Sequence, residues 1–160
     1  MDALKNFSWT MADLFPRQHV VTFHHRERSQ DVVEGMVDRL IETDHVSPSL
    51  RNDLVEGIMR REQYGTSAIG NRLAFPHLRT PLVDTMLGCF GYLESGCDFL
   101  ALDGQPTRCV WLTLAPVSQR REHIAVLTHL FRLVRDPKVQ LWMDHPRAAF
   151  QIWHHGNSIA

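Results

Sequence analysis

The chain has 160 residues, a length that suits one domain with a sizeable core and not two. Hydrophobic residues make up 44% and charged ones 22%, ordinary values for a globular protein. A formal net charge of -1 leaves no global field that would draw the chain to nucleic acid or to an anionic membrane.

The opening MDALKNFSWTMADLF lacks the basic flank, apolar centre and cleavage site of a signal peptide. The longest apolar run, Cys109 to Pro116, is too short to span a bilayer, so no membrane insertion is expected. Cys89, Cys97 and Cys109 are an odd number without metal-ligand spacing and read as reduced thiols in a cytoplasmic protein. Ten histidines are the compositional oddity. Neither His-Glu-x-x-His nor Cys-x-x-Cys occurs, so no metal is expected.

In chain order, residues 1–17 read as a weakly ordered lead-in with one helical turn, closed by Pro16, and residues 18–156 as the domain. His19 to His25 is β-rich and predicts a first strand, with His24 and His25 on opposite faces. A helix follows from Ser29, carrying Val32, Val33, Met36, Val37, Leu40 and Ile41 at helical spacing. Ser47 and Pro48 start a second helix with an apolar stripe of Leu50, Leu54, Val55, Ile58 and Met59, ending at Arg60 and Arg61. Thr85 to Leu93 predicts a strand, Phe99 to Leu102 a short strand between turns, and Thr107 to Leu114 a central strand. A long helix follows Ser118, with Ile124, Leu127, Leu130, Phe131 and Val134 as its expected core stripe and Asp136-Pro137 as its stop. A helical turn at Val139–Met143 and a helix from Pro146 to about His155 complete the chain, with His154 and His155 expected in solvent. Strands separated by helices imply a single α/β domain: a mixed, mostly parallel sheet with helices on both faces.

The stretch from Arg61 to Thr80, REQYGTSAIGNRLAFPHLRT, carries the chemistry. It turns at Gly65-Thr66-Ser67 and again at Gly70-Asn71, then runs through Leu73-Ala74-Phe75 as an apolar strand. Proline cannot donate to a sheet ladder, so Pro76 is expected to end that strand and leave His77 at its tip. A histidine held there by a rigid scaffold suits chemistry better than one on a loose loop.

Arg61-Glu62, Thr66-x-x-Ile69-Gly70-Asn71 and Ala74-Phe75-Pro76-His77 together resemble the active-site segment of the fructose/mannitol/nitrogen-type enzyme IIA domains of the bacterial phosphotransferase system. The likeness covers about residues 15–155 and includes an Asp103-Gly104-x-Pro106 turn before the central strand. It implies that His77 carries a phosphoryl group through Nε2, with no cofactor, and that His123 is a helper histidine beside it. Arg61, at the family's separation before His77, would fork to phosphoryl oxygens, since a guanidinium stays charged. Thr66 and Asn71 are weaker phosphate-supporting candidates. The resemblance also implies an HPr-like phosphodonor, and either a IIB-like acceptor, as in sugar transport, or a regulated target, as in nitrogen regulation.

Each residue also has a plainer reading. His77 can be a turn histidine, His123 a polar residue at a helix start, Arg61 a C-terminal helix cation, and Thr66 and Asn71 turn-closers. A regulatory binding module without onward transfer is the alternative to a phosphocarrier. Two residues depart from the family pattern. Arg72 replaces a small residue and either adds charge near the site or faces water, and Leu78 follows Pro-His and narrows the approach to His77.

Overall fold

Five strands form one sheet in the computed structural model, which describes residues 4–158. They are β1 (Val20–Phe23), β2 (Leu73–Ala74), β3 (His77–Arg79), β4 (Leu87–Cys97) and β5 (Thr107–Ala115). β1 pairs parallel with β4, β4 antiparallel with β5, and β2 and β3 both parallel with β5. The sheet of this single α/β domain is therefore mixed and mostly parallel, as expected. β5 lies in its interior, and its near-continuous apolar run TRCVWLTLA suits a strand covered on both faces.

Strand alternation sorts the side chains of β5 into two cores. Val110, Leu112 and Leu114 face a layer built by α2 (Ser29–Glu42) and α3 (Arg51–Gln63). Cys109, Trp111 and Ala115 face the other layer, built by α1 (Met11–Leu14), α4 (Arg120–Val134), α5 (Pro137–Trp142) and α6 (Ala148–Ser158). Among the described residues no helix is long and apolar enough to cross a membrane.

Several expectations need correction. Part of the expected lead-in, residues 1–3, lies outside the described residues. The rest carries α1, which Thr10 caps reciprocally with Asp13, and places Met11, Leu14 and Phe15 in the second core. The Phe15 carbonyl accepts hydrogen bonds from Trp153 Nε1 at 2.8 Å and Asn157 Nδ2 at 3.0 Å, which ties the chain's two ends together. β1 stops at Phe23, so His24 and His25 fall after it and are exposed. Phe99 to Leu102 forms no strand. Asp98 Oδ1 accepts from Leu100 N at 2.8 Å, and Leu100 takes a positive φ of 54°. β4 instead continues past Leu93 through an irregular segment to Cys97.

The frame of α4 was also misplaced. Its buried residues include His123, Val126, Leu130 and Leu133, while Ile124 and Phe131 are exposed. The sequence HIAVLTHLFRLV is apolar around more than half the helix, so periodicity alone left two overlapping stripes available. His155 is half-buried against Asp136, whose Oδ2 lies 2.6 Å from its Nε2.

Candidate phosphoryl-accepting site

Three backbone residues with positive φ, Gly70 (145°), Asn71 (55°) and Arg72 (65°), turn the chain into β2. The Asp103 carboxylate clamps this turn: Oδ2 accepts from Asn71 N at 2.8 Å and Oδ1 from Gln105 N at 3.1 Å. β2 then pairs with β5 at Leu73–Cys109, and β3 resumes the same pairing at His77–Thr113. Phe75 and Pro76 lie between the two segments. Pro76 lends no N–H to the ladder, but its carbonyl accepts from Thr113 N at 3.1 Å. His77 thus opens a second strand segment and does not terminate the first, which corrects the expectation that it stands at a strand's tip. Its backbone is held all the more firmly for that.

Both ring nitrogens of His77 are engaged. Nδ1 lies 2.8 Å from the Phe75 carbonyl oxygen, which can only accept, so Nδ1 carries the hydrogen. Arg61 Nε–H donates to Nε2 at 3.1 Å, so Nε2 presents its lone pair. The two partners demand the same neutral tautomer. Burial lowers the pKa of His77, and the Arg61 and Arg79 charges act in the same direction against the opposing pull of the Phe75 carbonyl.

Arg61 comes from the last turn of α3, on one face of the sheet, and Nη1 also donates to the Gly65 carbonyl at 2.8 Å. His123 comes from the first turns of α4, on the other face. The His77 and His123 ring centroids are 5.3 Å apart with planes at 70°. His123 is only 4% exposed, and its Nε2 is buried without a hydrogen-bond partner. Burial, followed by the neighbouring His77, Arg79 and Arg61, pushes its pKa down to about 4. Both imidazoles are therefore neutral near pH 7, one with its lone pair accepting from Arg61 and the other with an unpaired polar atom, and the Arg61, Arg79 and Arg120 guanidiniums beside them suit the reception of an anion. His77, His123 and Arg61 line one depression of about 400 Å³, together with Leu78, Arg79, Arg120, Ile124 and Leu127.

Thr66 and Asn71 are not among those lining residues. Thr66 Oγ1 donates to the Phe99 carbonyl at 2.5 Å and accepts from Ala68 N at 3.1 Å, closing its own turn. Asn71 Nδ2 donates to the Val134 carbonyl at 2.5 Å, so its side chain ties the turn to the end of α4. Arg72 neither adds charge to the depression nor stands free in water, since it pairs with Asp144 at 3.1 Å. Arg79 and Arg120 were missed from sequence. Strand alternation signals Arg79, because a residue two positions after His77 shares its face.

The family model described as "Phosphoenolpyruvate-dependent sugar phosphotransferase system, EIIA 2" matches residues 13–144. The chain belongs to this family. A nitrogen regulatory protein of Bradyrhizobium diazoefficiens is 37% identical to this EIIA chain over 98 residues, covering 61% of the chain and 64% of the relative. A fructose-specific EIIABC component of Bacillus subtilis is 27% identical over 114 residues, covering 71% of the chain and 18% of that protein. The match thus spans less than two thirds of the length of either EIIA relative. Among solved structures, nitrogen regulatory protein IIA-Ntr of Neisseria meningitidis superposes with a TM-score of 0.79 at 22% identity, covering 91% of this chain and 98% of that one. Mannitol enzyme IIA of Escherichia coli, in complex with phosphorylated mannitol enzyme IIB, superposes with a TM-score of 0.66 at 18% identity, covering 89% and 99%. At these identities the two structures establish a shared EIIA fold.

Proposed function

We propose that the chain is a phosphocarrier that accepts a phosphoryl group on His77 Nε2 from an HPr-like phosphohistidine protein in the cytoplasm. The observation that carries this reading is the imidazole tautomer, set from both sides so that Nε2 keeps its lone pair, which accepts from Arg61 at the edge of an open, cationic depression. Phosphoryl transfer needs an aligned nucleophile and fixed donors for the equatorial oxygens, and little other covalent machinery. The Nε2 lone pair attacks phosphorus as the donor's N–P bond breaks, and the departing electron pair returns to the donor imidazole. His77 keeps its Nδ1 proton, so the phosphorylated ring is positively charged. The Phe75 carbonyl stabilises that charge. Arg61 must release Nε2 as phosphorus arrives, which brings its guanidinium within reach of the phosphoryl oxygens. His123, neutral and carrying an unpartnered Nε2, supplies a further hydrogen bond.

Onward transfer to a IIB-like thiol or imidazole completes the relay. The alternative use of the same site is regulatory, with the added negative charge switching a partner protein on or off. The relatives named nitrogen regulatory proteins favour this second use. Incubation with a phosphorylated HPr-like protein, followed by intact mass spectrometry, tests the reading. One phosphoryl group is expected on the wild type and none on His77→Ala. Equal labelling of the two sinks the assignment. Drainage of the label by a IIB-like acceptor marks the relay, and a stable label that changes partner binding marks the regulatory switch.

A further inference from the structure

Each hydrogen bond that sets the His77 tautomer runs, one residue further back, into the same short turn. Arg61 donates Nε–H to His77 Nε2 and Nη1–H to the Gly65 carbonyl. On the other side of the ring, His77 Nδ1–H donates to the Phe75 carbonyl, and Phe75 N–H donates to the Ser67 carbonyl at 3.3 Å. Gly65 and Ser67 therefore anchor the two groups that bond to the imidazole. Glu62 closes that turn from the end of α3. Its carbonyl accepts from Gly65 N at 3.2 Å, and its carboxylate Oε2 accepts from Ser67 N at 3.0 Å. Consecutive helical residues project roughly 100° apart, so Arg61 reaches toward His77 while its neighbour Glu62 reaches toward Ser67.

Resting on the phosphocarrier reading, we propose that Glu62 is a positioning residue for phosphorylation. Its carboxylate locks the 65–67 turn, and the turn holds Arg61 and the Phe75 carbonyl where they leave Nε2 as the lone-pair nitrogen. Glu62 does not line the depression around His77 and acts only through these two anchors. Stability does not account for the carboxylate. Its Oε1 is buried without a hydrogen-bond partner, and Glu62 forms no ion pair among the described residues. A carboxylate kept from water on those terms is unfavourable relative to an apolar side chain of similar size. Thr66 also ties the turn to the Phe99 carbonyl, and the Pro76 carbonyl accepts from Thr113 N. Loss of Glu62 therefore loosens the site and leaves the surrounding fold in place.

Three variants separate reach from charge. Glu62→Gln keeps the length and an acceptor oxygen without the charge, Glu62→Asp keeps the charge on a side chain one methylene shorter, and Glu62→Leu keeps neither. Long-range proton–nitrogen NMR correlations of the His77 ring read the tautomer directly. Labelling by phosphoramidate, which releases ammonia as Nε2 takes the phosphoryl group, reads the rate without a partner protein. Wild type and Glu62→Gln are expected to hold the Nδ1–H form. Glu62→Asp and Glu62→Leu are expected to average the two tautomers and to label about tenfold more slowly. An unchanged tautomer in either of those two overturns the proposal. Impairment of Glu62→Gln overturns it too, because the acceptor oxygen is then not what matters. Loss of the dispersed amide spectrum in Glu62→Asp marks a residue needed for folding and overturns it as well. Wild-type His77 that takes no label overturns the phosphocarrier reading and this proposal with it. A labelled wild type beside unchanged tautomers in the variants overturns the role of Glu62 alone.

Discussion

At the scale of single residues, the site depends on keeping two imidazoles neutral in a cationic neighbourhood. His123 is the extreme case, its pKa pushed down to about 4 chiefly by burial. Because the unfolded chain titrates near the ordinary value of about 6.5, it binds more protons than the folded one between the two values. The contribution of His123 to stability is therefore complete above about pH 6.5 and is lost as pH falls toward about 4, by roughly 1.4 kcal/mol per pH unit and on the order of 3 kcal/mol in all. His77 and His19 are lowered in the same direction, also mainly by burial, and add to the acid sensitivity. Urea unfolding at about pH 7 and about pH 4.5 should show a smaller loss of stability in His123→Gln than in the wild type. Equal losses would mean that His123 titrates normally.

At the scale of elements, the position of α3 against β3 decides whether Arg61 reaches His77. The contact between them is close because Gly57 carries no side chain, and Leu78 fills the room this leaves. A bulkier residue there wedges the helix away from the strand. Gly57→Val is expected to cost about 1–3 kcal/mol through overpacking. It should also slow phosphorylation of His77 by up to about a hundredfold, since a displacement of about 1 Å at an aligned nucleophile is enough for that. Thermal unfolding and labelling kinetics read the two effects separately. A destabilised variant that labels at the wild-type rate would sever the link between helix position and reactivity.

At the scale of the whole molecule, the site occupies a seam. His77 lies on a strand that pairs, among the described residues, with β5 alone, Arg61 arrives from the helical layer on one face, and His123 from the layer on the other. Either core can disturb it. Phe15 belongs to the second core, fully buried and edge-on to Trp111 with ring centroids 4.9 Å apart. Phe15→Ala should lose about 3–5 kcal/mol in denaturant unfolding. A loss below about 1 kcal/mol would return the N-terminal segment to the status of a loose lead-in.

The α/β class, the central strand, most helix boundaries and three of the residues that converge on the depression, His77, His123 and Arg61, were legible in the sequence. Each rests on a local signal: a 3.6-residue or 2-residue period, a proline, a cap, or a run of motif residues at fixed spacing. Tertiary contacts decided what periodicity left open. They selected which of two apolar stripes of α4 faces the core and thereby buried His123, and they drew Met11, Leu14 and Phe15 into that core. They carried the strand past Pro76 by pairing both sides of it with β5, and gave Thr66, Asn71 and Arg72 partners in other parts of the chain. The division has a physical cause. Spacing along the chain governs what one element can present, whereas burial, tautomer and charge pairing belong to groups that become neighbours only when distant segments meet.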